Sequence, residues 1–266
     1  MIDRRALALL LCAGVAGWAG AARAAATSVW LDELTSVEVR ERIAQGSTTV
    51  LVPIGGTEQN GAHLELGKHN VRVRVLAGRI AEQLGHTLVA PVMAYVPEGD
   101  IDPPTQHMRH AGTLSVPGAA FESVLEGAAR SLRRHGFKHV VLLGDHGGYQ
   151  SHLVRVAAKL NRAWGGQDGL IALQEYYRAA QAFDATLAAR GYSAQEIGRH
   201  AGLADTSLAW AVDASLVRPQ LLQPVAGVDG DPRRASAELG RPGVEHIVSA
   251  SVAAIRARTG QALSKP

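Results

Sequence analysis

The feature that most constrains this chain is a rhythm: short runs rich in Val, Leu and Ile alternate with longer stretches of helical period. "TTVLVPIG" (48–55) reads as a buried strand, and "HTLVAPVM" (86–93), "KHVVLLGD" (138–145) and "GLIALQEYY" (169–177) supply three more. Between them, "TSVEVRERIAQG" (35–46) predicts a helix with Ser36 as N-cap and Gly46 closing it. "VRVRVLAGRIAEQLG" (71–85), "GAAFESVLEGAARSLRRHG" (118–136) and residues 151–163 predict further helices. Such an order builds βα units on a mostly parallel sheet, an α/β fold. The stretches 95–112 and 225–240 lack hydrophobic period and are long for connections in a compact domain, which marks them as functional loops.

The N-terminus follows different rules. Arg4 and Arg5 precede an uncharged apolar run over 6–22, and small residues surround Arg23. Residues 1–25 are expected to be a cleavable export signal of the Sec or twin-arginine kind, leaving 26–266 as a single domain in the periplasm or secreted. The competing reading is an uncleaved anchor, for which the apolar run is short. Cys12, the only cysteine, lies in this segment, so disulfides and thiolate ligands are excluded from the mature chemistry. Without Arg4, Arg5, Arg23 and Asp3 the charges nearly cancel, and there is no basic stripe with interleaved aromatics, which argues against a nucleic-acid partner. After signal cleavage no membrane partner is expected.

Parallel sheets bind ligands beyond the carboxyl ends of their strands. Two strands here run into polar clusters, "GGTEQNGAH" and "GDHGGYQSH", so both face one crevice. The first carries Glu58, Asn60, His63 and His69; the second carries Asp145 and His146 among glycines that let the backbone approach a ligand. Two further clusters are "TQHMRHAGTLS", with His107, and "GRHAGLADTSLAW", with His200 and with Asp205 near an expected helix start. A serine nucleophile lacks the G-x-S-x-G elbow, and the "GVDGDP" loop lacks the lysine of a phosphate-binding loop.

Taken in order, these segments resemble the creatininase (creatinine amidohydrolase) family. "GGTEQNGAHLELGKH" is similar to the family's G-S/T-x-E-Q-H-G-P-H-L-P-L-x-T-D, "GDHGG" to N-G-H-G-G, "QHMRHAGTLS" to E-H-x-x-F-P-G-T-I/L-S, "HAGLADTS" to H-A-G-x-x-E-T-S, and "GVDGDPRRASAELG" to its late glycine-rich motif. The resemblance implies a three-layer αβα sandwich, a homo-oligomer (a hexamer by analogy), and a metal-dependent amidohydrolase using zinc, manganese or iron on a small cyclic amide or formamide-like substrate. It assigns Glu58 and His146 as metal ligands.

Other family metal positions differ in this chain: Asn60 stands for a histidine, His69 for a bridging aspartate, Gln106 for a glutamate and Asp205 for a glutamate. A neutral imidazole offers one lone pair and cannot bridge two cations, and an amide oxygen is a poorer zinc ligand than imidazole. The expectation is a remodelled single-metal site, most simply zinc, on Glu58, His69 and His146, with Asn60 and Asp205 as weaker ligands for a second ion if one persists. Asp205 would then be general base toward the hydrolytic water, and His107 or His200 would stabilise the oxyanion or protonate the leaving nitrogen. The alternative is a catalytically inactive binding or scaffold protein on the same fold.

Overall fold

The computed structural model describes residues 28–166 and 168–261. The expected leader over 1–25 lies outside the described residues. Four parallel strands, β1 (Thr49–Ile54), β2 (Thr87–Val89), β3 (His139–Gly144) and β4 (Leu170–Ala172), form a sheet ordered β2-β1-β3-β4. Alternate residues serve opposite faces, as the two-residue period of a strand requires. Leu51, Val141, Leu143 and Ile171 pack under α2 (Lys68–Leu84), α5 (Gln174–Ala189), α7 (Leu203–Val212) and α8 (Ala237–Thr259). Val50, Val52, Val140, Leu142 and Leu170 pack against α3 (Gly118–Arg134) and α4 (Gln150–Ala163), with α1 (Ser36–Ala44) at the margin. The result is the expected αβα layering. A short helix, α6 (Ala194–Ile197), precedes α7. Among the described residues no helix is long and apolar enough to cross a membrane.

Four local expectations need correction. The N-cap of α1 is Thr35, one residue early, because Thr35 and Glu38 close a reciprocal capping box. Helix α2 begins at Lys68, so Lys68 and His69 are in its first turn instead of in a loop. The strand expected over 169–177 stops at Ala172, and Gln174 opens α5; of the "QEYY" run Tyr176 alone is buried, on a helix, and a tyrosine pair suits a strand as well. Finally, α7 starts at Leu203 with Gly202 as its N-cap, placing Asp205 inside the first turn and not at the cap.

The chain reverses its direction of sheet growth between β1 and β3, the switch point at which such sheets leave a crevice. Tyr149, fully buried, holds the two strand ends together. Its hydroxyl accepts from the Asp145 and His146 amides (3.1 Å each) and lies 2.7 Å from the carbonyls of Ile54 and Gly55, to which it donates.

Candidate metal centre

Glu58 is placed by the loop leaving β1, whose backbone is pinned where Thr57 bridges Leu114 and the Glu58 amide donates to Leu66 O (3.1 Å). Its carboxylate is fully buried, and its two oxygens face different neighbours. Oε2 lies 3.1 Å from His107 Nε2 and 3.4 Å from His146 Nε2. Oε1 lies 2.8 Å from His69 Nε2, 3.6 Å from His200 Nδ1 and 3.7 Å from Lys68 Nζ.

On the Oε2 side, Glu58, Glu98, His107 and His146 each bring one ligand atom to within 4.8 Å of the others. Glu98 comes from the loop 95–112, anchored where its amide donates to Ser115 Oγ (3.0 Å), and its Oε2 lies 3.3 Å from His146 Nδ1. His107 sits on a short 3-10 turn, Gln106–Arg109, of the same loop. The donor chemistry fits a divalent cation. Glu58 Oε2, both Glu98 carboxylate oxygens and His146 Nδ1 are buried without a hydrogen-bond partner, a costly arrangement unless a cation faces them. Burial and the neighbouring Glu58 charge push the Glu98 carboxyl up to about 9, the mark of an acid facing an acid with no positive charge between them. Burial takes the His146 imidazole down to about 3, assisted by His69, Lys68 and His107, so it stays neutral as a ligand must. Two carboxylates and two imidazoles suit zinc and manganese alike.

On the Oε1 side the groups are already paired. His69 engages Glu58 through Nε2 and Asp145 through Nδ1 (2.6 Å); burial and Lys68 lower its pKa, but these two bonds outweigh them and raise it. Asp145 also accepts from Arg72 Nε (2.9 Å) and Tyr176 OH (2.6 Å). Asp205 is held by Lys68 Nζ, by Arg72 Nη1 (2.8 Å) and by the Ala201 amide (3.0 Å). Burial opposes ionisation of Asp205, yet Lys68 and Arg72 keep it well below the usual carboxylate range.

The expected residues are grouped as follows. Glu58 and His146 stand together, but their companions are Glu98 and His107. His69 was expected as the third ligand; it adjoins Glu58, with Nε2 facing Glu58 and Nδ1 facing Asp145. Asn60, the weaker expected ligand, is buried with its Nδ2 donating to Glu58 O (2.8 Å) and Glu65 O (2.9 Å) and its Oδ1 without a hydrogen-bond partner. Asp205 is clamped by two cations and is a poor base. His107, expected to act on the oxyanion, lies with Glu58, Glu98 and His146 in the group that could hold an ion. His200 faces the same space, its ring 4.4 Å from that of His107, and burial lowers it to about 4. Glu98, Lys68, Arg72 and Gln59 were not singled out. Gln59 Nε2 donates to Gly227 O (2.9 Å) and its backbone carbonyl receives His200 Nε2 (2.9 Å), tying the late glycine-rich loop to the site. The only signal for Glu98 was its place in a long loop without period.

The cleft beside this group has a volume of about 310 Å³ and is lined by Lys68, His107, His146, His200, Tyr177 and Asp184 among others.

The creatininase family profile, described as creatinine amidohydrolase, matches residues 32–255. The chain belongs to the creatininase family. It is 28% identical over 197 residues to the creatinine amidohydrolase of Pseudomonas putida, covering 71% of this chain and 74% of that one. A mycofactocin precursor peptide peptidase of Mycolicibacterium smegmatis is 34% identical over 116 residues, covering 42% of this chain and 44% of the relative. Among solved structures, creatinine amidohydrolase (creatininase) superposes with a TM-score of 0.72 at 26% identity, over 87% of this chain and 98% of the other. A structure titled "Creatininase Mn" gives 0.71 at 27% identity, over 86% and 98%. Creatininases are amidohydrolases, and relatives of this fold carry divalent metals.

Proposed function

We propose that this protein hydrolyses a carbon–nitrogen amide bond of a small cyclic amide or formamide-like substrate, using one divalent ion held by Glu58, Glu98, His107 and His146. The observation that carries the reading is the set of buried, unpartnered oxygens of Glu58 and Glu98 facing two histidines at the switch point of the sheet. A divalent ion there would polarise the amide carbonyl and lower the pKa of water. The chain's own residues do the rest. His200, kept neutral by burial, donates through Nε2 to Gln59 O, which leaves Nδ1, 3.6 Å from Glu58 Oε1, with the lone pair that can take a proton from the attacking water and pass it toward the leaving nitrogen. Lys68, Arg72 and His69 fix Glu58, Asp145 and Asp205 in their charged forms, so the inner wall does not reorganise during reaction. Zinc is the first choice of metal, and manganese is consistent with the carboxylate-rich donor set.

Export to the periplasm and assembly as a homo-oligomer are part of the same proposal; the leader sequence supports the first and family resemblance the second. Cell fractionation and light scattering of the purified protein test them.

The central test is metal content with hydrolysis. Purified protein should carry about one equivalent of zinc or manganese and open a cyclic amide or deformylate a formamide in a mass-spectrometric panel. His146→Ala should lose the metal and at least about 100-fold in rate. Below about a tenth of an equivalent in the wild type, unchanged in His146→Ala, the protein would be a binding or scaffold member of the family instead.

A further inference from the structure

Lys68 is the least expected residue in this pocket. A lysine ammonium is strongly hydrated and is almost never fully buried unless paired. Here the side chain is wholly buried, in contact with Asp205 and 3.7 Å from Glu58 Oε1, and it lines the cleft itself. Glu58 therefore turns one oxygen toward the histidine and glutamate group and the other toward an ammonium. A carboxylate presenting its two oxygens in this way is the arrangement that joins two metal ions where enzymes use paired metals.

The geometry points to Lys68 as a built-in cation that occupies the second position beside Glu58 and Asp205 and limits the centre to a single divalent ion. Glu58, Glu98, Asp145 and Asp205 converge on the pocket, and Lys68, Arg72 and the doubly bonded His69 face them. One divalent ion on the Glu98 side already exceeds the single negative charge that remains if His69 is charged. A second beside Glu58 Oε1 would meet the ammonium at close range in a buried site, where repulsion between like charges is far stronger than in water. Asp205, with its Oδ2 on Lys68 and its Oδ1 on Arg72, has no free oxygen to offer such an ion. This inference rests on the proposed metal centre but is separable from it.

The test counts metal. Wild type, Lys68→Met and Lys68→Arg are stripped, reloaded with Mn²⁺, desalted and assayed by elemental mass spectrometry. Lys68→Met, which removes the charge and keeps the stem, is expected to hold one more equivalent than wild type. Lys68→Arg is expected to hold the wild-type number. Equal or lower content in Lys68→Met overturns the assignment. Should Lys68→Met fail to fold, electron paramagnetic resonance of wild type saturated with Mn²⁺ decides: isolated single-ion spectra are expected, and an exchange-coupled pair refutes the role of Lys68. The absolute wild-type count reads the proposed function; the difference between variant and wild type reads Lys68.

Discussion

Gly56 faces Glu98 so closely that a Cβ on Gly56 would stand 2.5 Å from Glu98 Oε1, and its backbone, at φ +155°, lies in a region that favours glycine. The absence of a side chain beyond the strand end lets an acid from a distant loop approach Glu58, His107 and His146. Gly56→Ala should therefore weaken metal binding by roughly 10–100-fold, the range seen when a ligand's support is disturbed. Competition with a chromogenic chelator would measure it; unchanged affinity would mean that Glu98 is not a ligand.

Tyr149→Phe removes one oxygen that serves both strand ends. The His146 amide loses its acceptor, whereas the Asp145 amide keeps the Ile54 carbonyl (3.0 Å); an unsatisfied donor costs about 1–3 kcal/mol. Urea denaturation should show a loss of that size with an unchanged m-value, together with weaker metal binding, because His146 follows directly on the released strand end.

His69→Asn separates pairing from ligation. If His69 serves only to join Glu58 to Asp145, the variant should keep its metal stoichiometry while losing stability, on the order of 2–4 kcal/mol for breaking a buried charged network. Loss of metal without loss of stability would restore His69 to the ligand set.

Acid sensitivity of the metal-free protein follows from its buried histidines. Burial lowers His63, whose Nε2 meets Ala201 O (3.1 Å) and Thr206 Oγ1 (3.0 Å), and lowers His200 to about 4. Both are neutral when folded and take a proton near pH 6.5 when unfolded. Their contribution to stability is complete above pH 6.5 and shrinks as pH falls toward their folded values. His69 has the opposite sign: its raised pKa stabilises below pH 6.5, and that contribution is lost as pH rises through the folded value. Melting temperature should accordingly decline between pH 6.5 and 4, and His200→Gln should flatten the decline. An unaltered slope in that variant would mean His200 is not buried as described.

How much of this could be seen in the chain alone varies with the range of the interactions involved. The sheet and its helices follow from local period, so β1, β3, α3 and α4 are legible within a residue or two. The "QEYY" run is not, because the apolar "LIAL" before it and the tyrosines at its end fit a strand or the buried face of a helix equally. Glu58 and His146 are legible because they sit at strand ends among glycines. Glu98 is invisible: nothing around it has period, and its position depends on Ser115 and on the absent side chain of Gly56. His69 misleads because its neighbour Asp145 lies 76 positions away, and a sequence does not say which of two acids claims each nitrogen.

The divided carboxylate of Glu58 has an evolutionary corollary. Because one acid serves both a metal-facing cluster and a salt-linked cluster, no position around it can drift alone without stranding a charge. Replacements at 68, 69, 72 and 205 would have to travel as a haplotype, and relatives that regain an acid at 69 should be found to have surrendered the lysine beside it.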